Sequence, residues 1–188
     1  MNPEVPHAAP GEASAWVRRF APLIRAGGTA LDYACGSGRH ARLIAALGVK
    51  VDAVDRDASA LESLNDVDGV RTILADLESD GWIFDGERYD AIVVTNYLFR
   101  PRVDDLLDCL DPDGVLIYET FMLGNERFGR PSNPEFLLAP GELLERVRND
   151  FSVVAFEQGE VSVPTPAMVQ RICAIKGQGR TTRLPNAQ

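Results

Sequence analysis

The chain has 188 residues, of which 45% are hydrophobic, and it carries a formal net charge of -9 at pH 7. This length can bury one good core but is too short for two domains of ordinary size, so we expect a single domain. The negative charge disfavours nucleic acid as a partner, because it would repel a phosphate backbone. The sequence shows no secretory leader and no apolar run of membrane-spanning length, which predicts a cytoplasmic protein without a membrane partner.

The three cysteines lie far apart in the sequence and are odd in number. That spacing fits neither a disulfide framework nor a zinc site, so we expect Cys35, Cys109 and Cys173 to be small core residues and expect no metal. Both ends of the chain lack periodic apolar positions. Residues 1–13 and 177–188 are therefore predicted to be flexible tails on either side of a domain formed by residues 14–176.

The first predicted element is a helix from Ser14 to Ile24, whose apolar residues fall on one face at helical spacing. Strand-like and helix-like segments then alternate along the chain, which is typical of an α/β fold. Further helices are predicted at 41–47, 58–65, 103–109 and 140–148, with at most one helical turn near Trp82. Strands are predicted at 29–34, 49–54, 70–74, 89–94, 113–119, 151–157 and 168–175.

Several of these strands, such as 91–94 and 115–118, are almost entirely apolar, as expected for parallel strands covered by helices on both faces. The last two strands follow each other without a helix between them, so we expect an antiparallel pair at one edge of the sheet. The sequence thus predicts a Rossmann-like, doubly wound α/β fold. Its seven-stranded sheet is expected to be mostly parallel, with an antiparallel last strand.

The most informative stretch is Thr29–Gly38, with the sequence T-A-L-D-Y-A-C-G-S-G. Here an apolar strand ends in glycines just before a helix, so the backbone can turn sharply and lie against a nucleotide-like ligand. Gly36 and Gly38 also fit the G-x-G-x-x-G/A pattern of dinucleotide sites. The glycines alone therefore leave the ligand open.

The acidic residues narrow the choice of ligand. In open α/β sheets, ligands bind beyond the carboxyl ends of the strands, and Gly36, Asp55, Asp76 and Asn96 each fall at or just past such an end. Asp55 has the spacing from Gly36 at which a carboxylate reaches the two ribose hydroxyls. Asp76 is placed to accept from the exocyclic amine of adenine. Asp32, inside the first strand, would repel a pyrophosphate but attract a cationic amino-acid group.

A ligand with an ammonium, a ribose and an adenine but no phosphate is S-adenosylmethionine. The chain resembles the class I S-adenosylmethionine-dependent methyltransferases over roughly residues 28–176, and the run C-G-S-G-R-H at 35–40 resembles the tellurite-resistance methyltransferase group. Ala34 stands where that family usually has glycine, so the first turn is expected to be less permissive. The resemblance implies S-adenosylmethionine as cofactor and S-adenosylhomocysteine as product. It also implies that Asp32 and the backbone of Ala34, Gly36 and Gly38 hold the methionine end, Asp55 the ribose, and Asp76 with Leu77 the adenine, while Asn96 closes the site from the fourth strand. His40 and Arg56 are two further candidates for cofactor binding.

A long segment without periodicity, residues 118–140, follows the fifth predicted strand. Such loops are usually functional or disordered, and its many aromatic residues and leucines argue against disorder. We interpret it as a lid over the methyl-transfer site; the alternative is a packed surface connection whose arginines pair with nearby acids. The candidates on the substrate side are Glu119, Arg127, Arg130 and Tyr97.

The two arginines favour a small anionic acceptor, since guanidinium groups bind carboxylates and oxyanions in bidentate fashion. Methyl transfer depends mainly on positioning, and it needs a general base only if the nucleophile is protonated. His40 could be such a base, although its place in the first turn of a helix is simpler to explain as cofactor-side or capping.

The predicted function is therefore methyl transfer from S-adenosylmethionine to a small molecule. Three alternatives remain open from the sequence: an RNA methyltransferase, an NAD-type oxidoreductase and a non-enzymatic S-adenosylmethionine-binding subunit. The sequence leaves the oligomeric state and the identity of the acceptor undecided.

Overall fold

One sheet of seven strands organises the computed structural model, which describes residues 11–79 and 81–186. The strand order is β3-β2-β1-β4-β5-β7-β6, so the chain winds outward from β1 in one direction and then returns to build the other half. The strands are β1 (Thr29–Tyr33), β2 (Lys50–Asp55), β3 (Val70–Leu74), β4 (Tyr89–Thr95), β5 (Leu110–Phe121), β6 (Phe151–Val161) and β7 (Ala167–Lys176).

The pairing confirms the predicted doubly wound α/β fold. Strands β1 to β5 pair in parallel, whereas β7 is antiparallel to both β5 and β6. The antiparallel edge pair follows from the short connection between β6 and β7, which can form only a hairpin. Strand β5 extends beyond its predicted bounds, because it pairs with β4 on one side and with β7 up to Phe121 on the other.

The helices lie close to where the apolar spacing predicts them. Four are shorter than predicted, and the second keeps its predicted length but begins and ends two residues earlier, at Arg39–Ala45. Ser14 caps the first helix, because its Oγ accepts the backbone N–H groups of Trp16 at 3.1 Å and Val17 at 3.5 Å. A 3-10 turn, Ala21–Leu23, completes this segment. Near Trp82, the described residues form turns and no helix. The helices are α1 (Ala15–Phe20), α2 (Arg39–Ala45), α3 (Ala58–Glu62), α4 (Val103–Asp108) and α5 (Glu142–Val147).

The sheet has a hydrophobic cluster on each face. Alternate residues of a strand point to opposite faces, so Ile92 and Val94 of β4 join the cluster under α4 and α5, while Ala91 and Val93 join the cluster under α1, α2 and α3. The three cysteines are free and buried in these clusters, which confirms that they are core residues.

The predicted tails fall partly outside the described residues, namely 1–10 and 187–188. The part of the first tail that is described contacts the domain, since Arg39 donates to the backbone carbonyl of Glu12 at 3.3 Å. Near the other end, Arg180 pairs with Asp113 at 2.6 Å. The domain limits remain a proposal. None of the helices described combines the length and apolar character that a membrane span requires.

Candidate functional site

The turn after β1 passes through the left-handed backbone region. The φ angles are 57° at Ala34, 54° at Gly36 and 72° at Gly38. For a residue with a Cβ this conformation costs about 1–2 kcal/mol, so Ala34 carries a strain that the usual glycine avoids. A Cβ on Gly38 would overlap the buried side chain of Leu64, whereas one on Gly36 would meet nothing within 4 Å. Gly38 therefore permits close packing, and Gly36 faces open space.

Asp32 lies beneath this turn and is only 1% exposed. Its Oδ2 accepts the backbone N–H of Ala41 at 2.8 Å, which ties the first turn of α2 to β1. Its Oδ1 is buried and has no hydrogen-bond partner in the described part of the chain. Burial raises the pKa of Asp32 to about 7, because the carboxylate has lost its hydration. A cationic donor near this oxygen would remove that penalty.

Two adjoining cavities lie at the carboxyl ends of the strands. We call them the strand-end cavity, of about 340 Å³, and the glycine-turn cavity, of about 440 Å³. They share Ala34, Asp55, Asn96 and Tyr97 as a common wall. The glycine-turn cavity is otherwise lined by Gly11, Cys35, Gly36, Ser37, Arg39 and Thr95. The strand-end cavity is otherwise lined by Arg56, Ala75, Asp76, Leu77, Glu78, Leu98, Thr120, Phe121, Pro131 and Phe136.

The carboxylate of Asp55 stands where the two cavities meet. Its Oδ2 accepts the N–H of Gly36 at 2.7 Å and its Oδ1 accepts the N–H of Asp57 at 3.0 Å, so both oxygens are fixed in place. Each carboxylate oxygen has a second lone pair and can accept one further hydrogen bond. Asn96, also in the common wall, has a φ of 55°, which asparagine tolerates better than most residues.

Most of the residues expected at the cofactor line these cavities: Ala34, Gly36, Asp55, Arg56, Asp76, Leu77 and Asn96. Asp32, Gly38 and His40 are not among the lining residues. His40 is buried on α2, where its Nε2 accepts the N–H of Ser14 at 3.2 Å and its Nδ1 lies 3.2 Å from Thr95 Oγ1. Burial lowers the pKa of His40 to about 3, so its ring is neutral at physiological pH.

The substrate-side candidates are spread over different places. Tyr97 is in the common wall, and its hydroxyl is buried without a hydrogen-bond partner among the described residues. Glu119 is engaged from both sides, since Ser14 Oγ donates to it at 2.6 Å and Arg171 pairs with it at 3.1 Å. It lines neither cavity. The other two candidates, Arg127 and Arg130, line a third cavity of about 450 Å³ that shares Phe121 with the strand-end cavity.

The long segment after β5 folds tightly against the strand-end cavity. Leu138 N–H donates to the carbonyl of Phe121 at 3.0 Å, and Arg100 makes a bidentate pair with Glu142 at 2.8 and 2.9 Å. Arg100 also donates to the carbonyls of residues 135 and 137, which holds Phe136 at the cavity wall. The segment thus covers the cavity as a packed element, and motion as a lid stays a prediction.

Sequence reasoning missed several lining residues. Thr95 and Thr120 lie at the ends of β4 and β5, so applying the strand-end rule to every residue there could have found them. Arg39 directly follows Gly38, at a variable position of the glycine pattern. Pro131 and Phe136 come from the long segment, which has no periodicity that would predict where its side chains lie.

Comparison with known proteins agrees with this architecture. Residues 6–149 match the model of a family described as a methyltransferase domain. TehB from Haemophilus influenzae has a similar structure, with a TM-score of 0.72 and 21% sequence identity over 87% of this chain. The alignment covers 62% of the Haemophilus protein, so this chain spans less than two thirds of its length. No curated protein sequence matches the chain.

Two further structures show the same fold. A TehB-like S-adenosylmethionine-dependent methyltransferase from Corynebacterium glutamicum has a TM-score of 0.62 and 19% identity, over 86% of this chain and 87% of its own. The glycopeptide N-methyltransferase MtfA, in complex with S-adenosylhomocysteine, has a TM-score of 0.61 and 18% identity, over 88% of this chain and 90% of its own.

Proposed function

Because this chain belongs to the class I S-adenosylmethionine-dependent methyltransferases, we propose that its adjoining cavities hold this cofactor and that the acceptor of the methyl group is a small molecule. S-adenosylmethionine supplies an electrophilic methyl group on a sulfonium, and S-adenosylhomocysteine is the product. Family membership decides against the oxidoreductase that the glycine pattern alone left open.

The observation that carries the proposal is the position of Asp55 in the wall that joins the two cavities. A carboxylate there can accept both hydroxyls of a ribose while it keeps its hydrogen bonds to the backbone. The amino-acid end would then lie in the glycine-turn cavity and the adenine in the strand-end cavity, beside Asp76 and Leu77. S-adenosylmethionine is elongated and has its ribose in the middle. This shape fits two cavities that meet at the carboxylate of Asp55.

The glycine-turn cavity also offers groups of the right charge for an amino acid. Its lining includes Arg39, whose guanidinium suits a carboxylate. The unpartnered Oδ1 of Asp32 lies beneath the same turn, and an ammonium would supply the missing positive charge, directly or through a water. Asn96 would close the cofactor site from the end of β4.

The acceptor is proposed to lie against the apolar wall of the strand-end cavity, which contains Tyr97, Phe121 and Phe136. A small organic molecule can bury apolar surface there. Beyond Phe121, the exposed guanidiniums of Arg127 and Arg130 would bind an anionic group of the same molecule. Orientation alone can then supply on the order of 7–11 kcal/mol of the barrier reduction, without a protein base.

Transfer of a radioactive methyl group tests this function. The protein is incubated with methyl-labelled S-adenosylmethionine and, separately, with the ultrafiltered metabolites and with the RNA of a cell extract. We expect label in the small-molecule fraction. Label in RNA instead would support the RNA alternative, and cofactor binding without label in any fraction would support the non-enzymatic one.

Substitution of the two arginines of the third cavity tests whether the acceptor is anionic. Once an acceptor is identified, Arg127→Gln combined with Arg130→Gln is expected to raise its KM about 10-fold or more, because each lost charge-assisted hydrogen bond is worth about 1.5–3 kcal/mol. Arg148→Gln is the matched control, since this exposed arginine pairs with Glu145 at the end of α5. Equal KM values in the double variant and the control would contradict an anionic acceptor.

A further inference from the structure

The buried imidazole of His40 connects Ser14, which caps α1, with Thr95, which lines the glycine-turn cavity. One ring nitrogen, Nε2, accepts the backbone N–H of Ser14 at 3.2 Å, and the other, Nδ1, lies 3.2 Å from Thr95 Oγ1. His40 is 1% exposed, so the ring itself is shielded from water at both contacts, whereas Ser14 and Thr95 are half-buried. The donors and acceptors in this short chain of hydrogen bonds determine whether the Thr95 hydroxyl donates or accepts a hydrogen bond towards His40.

The position of the ring proton follows from the partners of the ring. A backbone N–H can only donate, so Nε2 must be unprotonated. Burial keeps the pKa of His40 near 3, and the neutral ring therefore carries its single proton on Nδ1. Nδ1–H then donates to Thr95 Oγ1. The threonine oxygen is used as an acceptor, and its own proton is free to be donated elsewhere.

The glycine-turn cavity is the space next to Thr95 into which its proton can be donated. Thr95 lines that cavity together with Ser37 and Arg39. Within residues 11–79 and 81–186, its hydroxyl has no hydrogen-bond partner other than His40. The hydroxyl proton needs an acceptor, and of the two charged groups at the amino-acid end of the cofactor only the carboxylate is one; the ammonium could reach Thr95 only by donating to its second lone pair.

We propose that Thr95 binds the carboxylate of the cofactor's amino-acid end through its hydroxyl proton, and that His40 is the positioning residue that directs this proton into the cavity. The inference rests on the proposed function. It gives His40 a role different from that of a general base, because the ring keeps the same proton on Nδ1 throughout.

Ser14, which contacts the Nε2 side of the His40 ring, is itself fixed by hydrogen bonds. Ser14, whose N–H sets the tautomer, also donates from Oγ to Glu119 at 2.6 Å, and Glu119 pairs with Arg171 at 3.1 Å. The partners of His40 thus come from the cap of α1 and the end of β4, and Ser14 is in turn tied to β5 and β7. Such support keeps a neutral imidazole in one orientation before the cofactor arrives.

Calorimetric titration of Thr95→Val, which keeps the shape but loses the hydroxyl, tests the proposal. Each protein is titrated with S-adenosylhomocysteine and with 5′-methylthioadenosine, which retains the adenosine and the sulfur but lacks the amino-acid carboxylate and ammonium. We expect about 10- to 100-fold weaker binding of S-adenosylhomocysteine and unchanged binding of 5′-methylthioadenosine. The matched control, Thr95→Ser, keeps the hydroxyl and should stay close to the wild type.

The ratio of the two affinities also tests the positioning role. His40→Leu should weaken the binding of S-adenosylhomocysteine relative to that of 5′-methylthioadenosine, as Thr95→Val does. Adding Thr95→Val to His40→Leu should weaken S-adenosylhomocysteine binding little further, since both changes remove the same interaction. Unchanged affinity for S-adenosylhomocysteine in Thr95→Val, or an equal loss for both ligands, would overturn the inference. If the wild type binds neither ligand, the proposed function itself fails and the inference with it.

Discussion

Replacing Asp32 by asparagine should change how the stability of the cofactor-free protein depends on pH. Burial raises the pKa of Asp32 from its ordinary value of 3.8 to about 7. Between these values the folded protein holds a proton on Asp32 that the unfolded chain has released, so the contribution of Asp32 to stability falls as the pH rises. From pH 5 to pH 8, the two pKa values correspond to a loss of about 2.5 kcal/mol in the contribution of Asp32 to the free energy of unfolding.

Asparagine keeps an oxygen for the N–H of Ala41 but does not ionise. Its amide N–H groups would replace an oxygen that has no partner in the described part of the chain, at a cost of about 1–3 kcal/mol that is independent of pH. The free energy of unfolding of Asp32→Asn, relative to the wild type, should therefore rise by about 2.5 kcal/mol between pH 5 and pH 8.

Urea denaturation at these two pH values, followed by circular dichroism without cofactor, measures this difference. The same variant should bind S-adenosylhomocysteine more weakly, because the ammonium would lose its negative neighbour. A wild type and a variant whose stabilities change in parallel from pH 5 to pH 8 would refute the assignment of a buried, partly unpaired charge to Asp32.

Three further outcomes follow from the packing. Gly38→Ala should destabilise the protein by about 2–4 kcal/mol, since the added carbon overlaps the buried side chain of Leu64. Gly86→Ala, at a similar φ but in open space, should cost only the about 1–2 kcal/mol of the left-handed conformation, and equal values in urea denaturation would contradict the packing role. Arg100→Gln should speed proteolysis within residues 119–140, because it removes the bidentate pair with Glu142, whereas the surface control Arg148→Gln should not. Equal cleavage rates in the two variants would show that this pair does not hold the segment in place. The three cysteines should react with an aromatic disulfide reagent only on unfolding, because they are buried and burial raises the pKa of each thiol. Rapid labelling of the native protein would contradict their core positions.

The parts of the site that lie at strand ends could be predicted from the sequence. Apolar runs identify the parallel strands, and the carboxyl ends of parallel strands meet at one edge, so Asp55, Asp76 and Asn96 had to come near one another. The glycine pattern likewise predicts a sharp turn after β1. These inferences need only local spacing and the direction of the strands.

The partners of side chains from distant segments could not be predicted. Glu119 lies on β5 as expected, but Ser14 and Arg171, which occupy its carboxylate, are far away in the sequence. No local pattern encodes such a pairing. Arg127 and Arg130 lie in a third cavity because the segment after β5 is folded by tertiary hydrogen bonds and not by a repeating pattern.

The orientation of Asp32 could be inferred only in part. Its place within an apolar strand suggested a special role, but not that one oxygen would cap α2 while the other stayed without a partner in the described part of the chain. That distinction depends on where the first turn of α2 sits, which the turn through Ala34, Gly36 and Gly38 decides.

The central claim, that two cavities joined at Asp55 form one S-adenosylmethionine site, is tested most directly by calorimetric titration with S-adenosylhomocysteine and, in parallel, with NAD. The wild type should bind the first ligand and not the second. Asp55→Asn should weaken the binding about 100-fold, since the two ribose hydroxyls would lose an ionised acceptor, and the exposed control Asp66→Asn should leave it unchanged. Binding of NAD alone, or equal affinity for S-adenosylhomocysteine in the wild type and Asp55→Asn, would contradict the account.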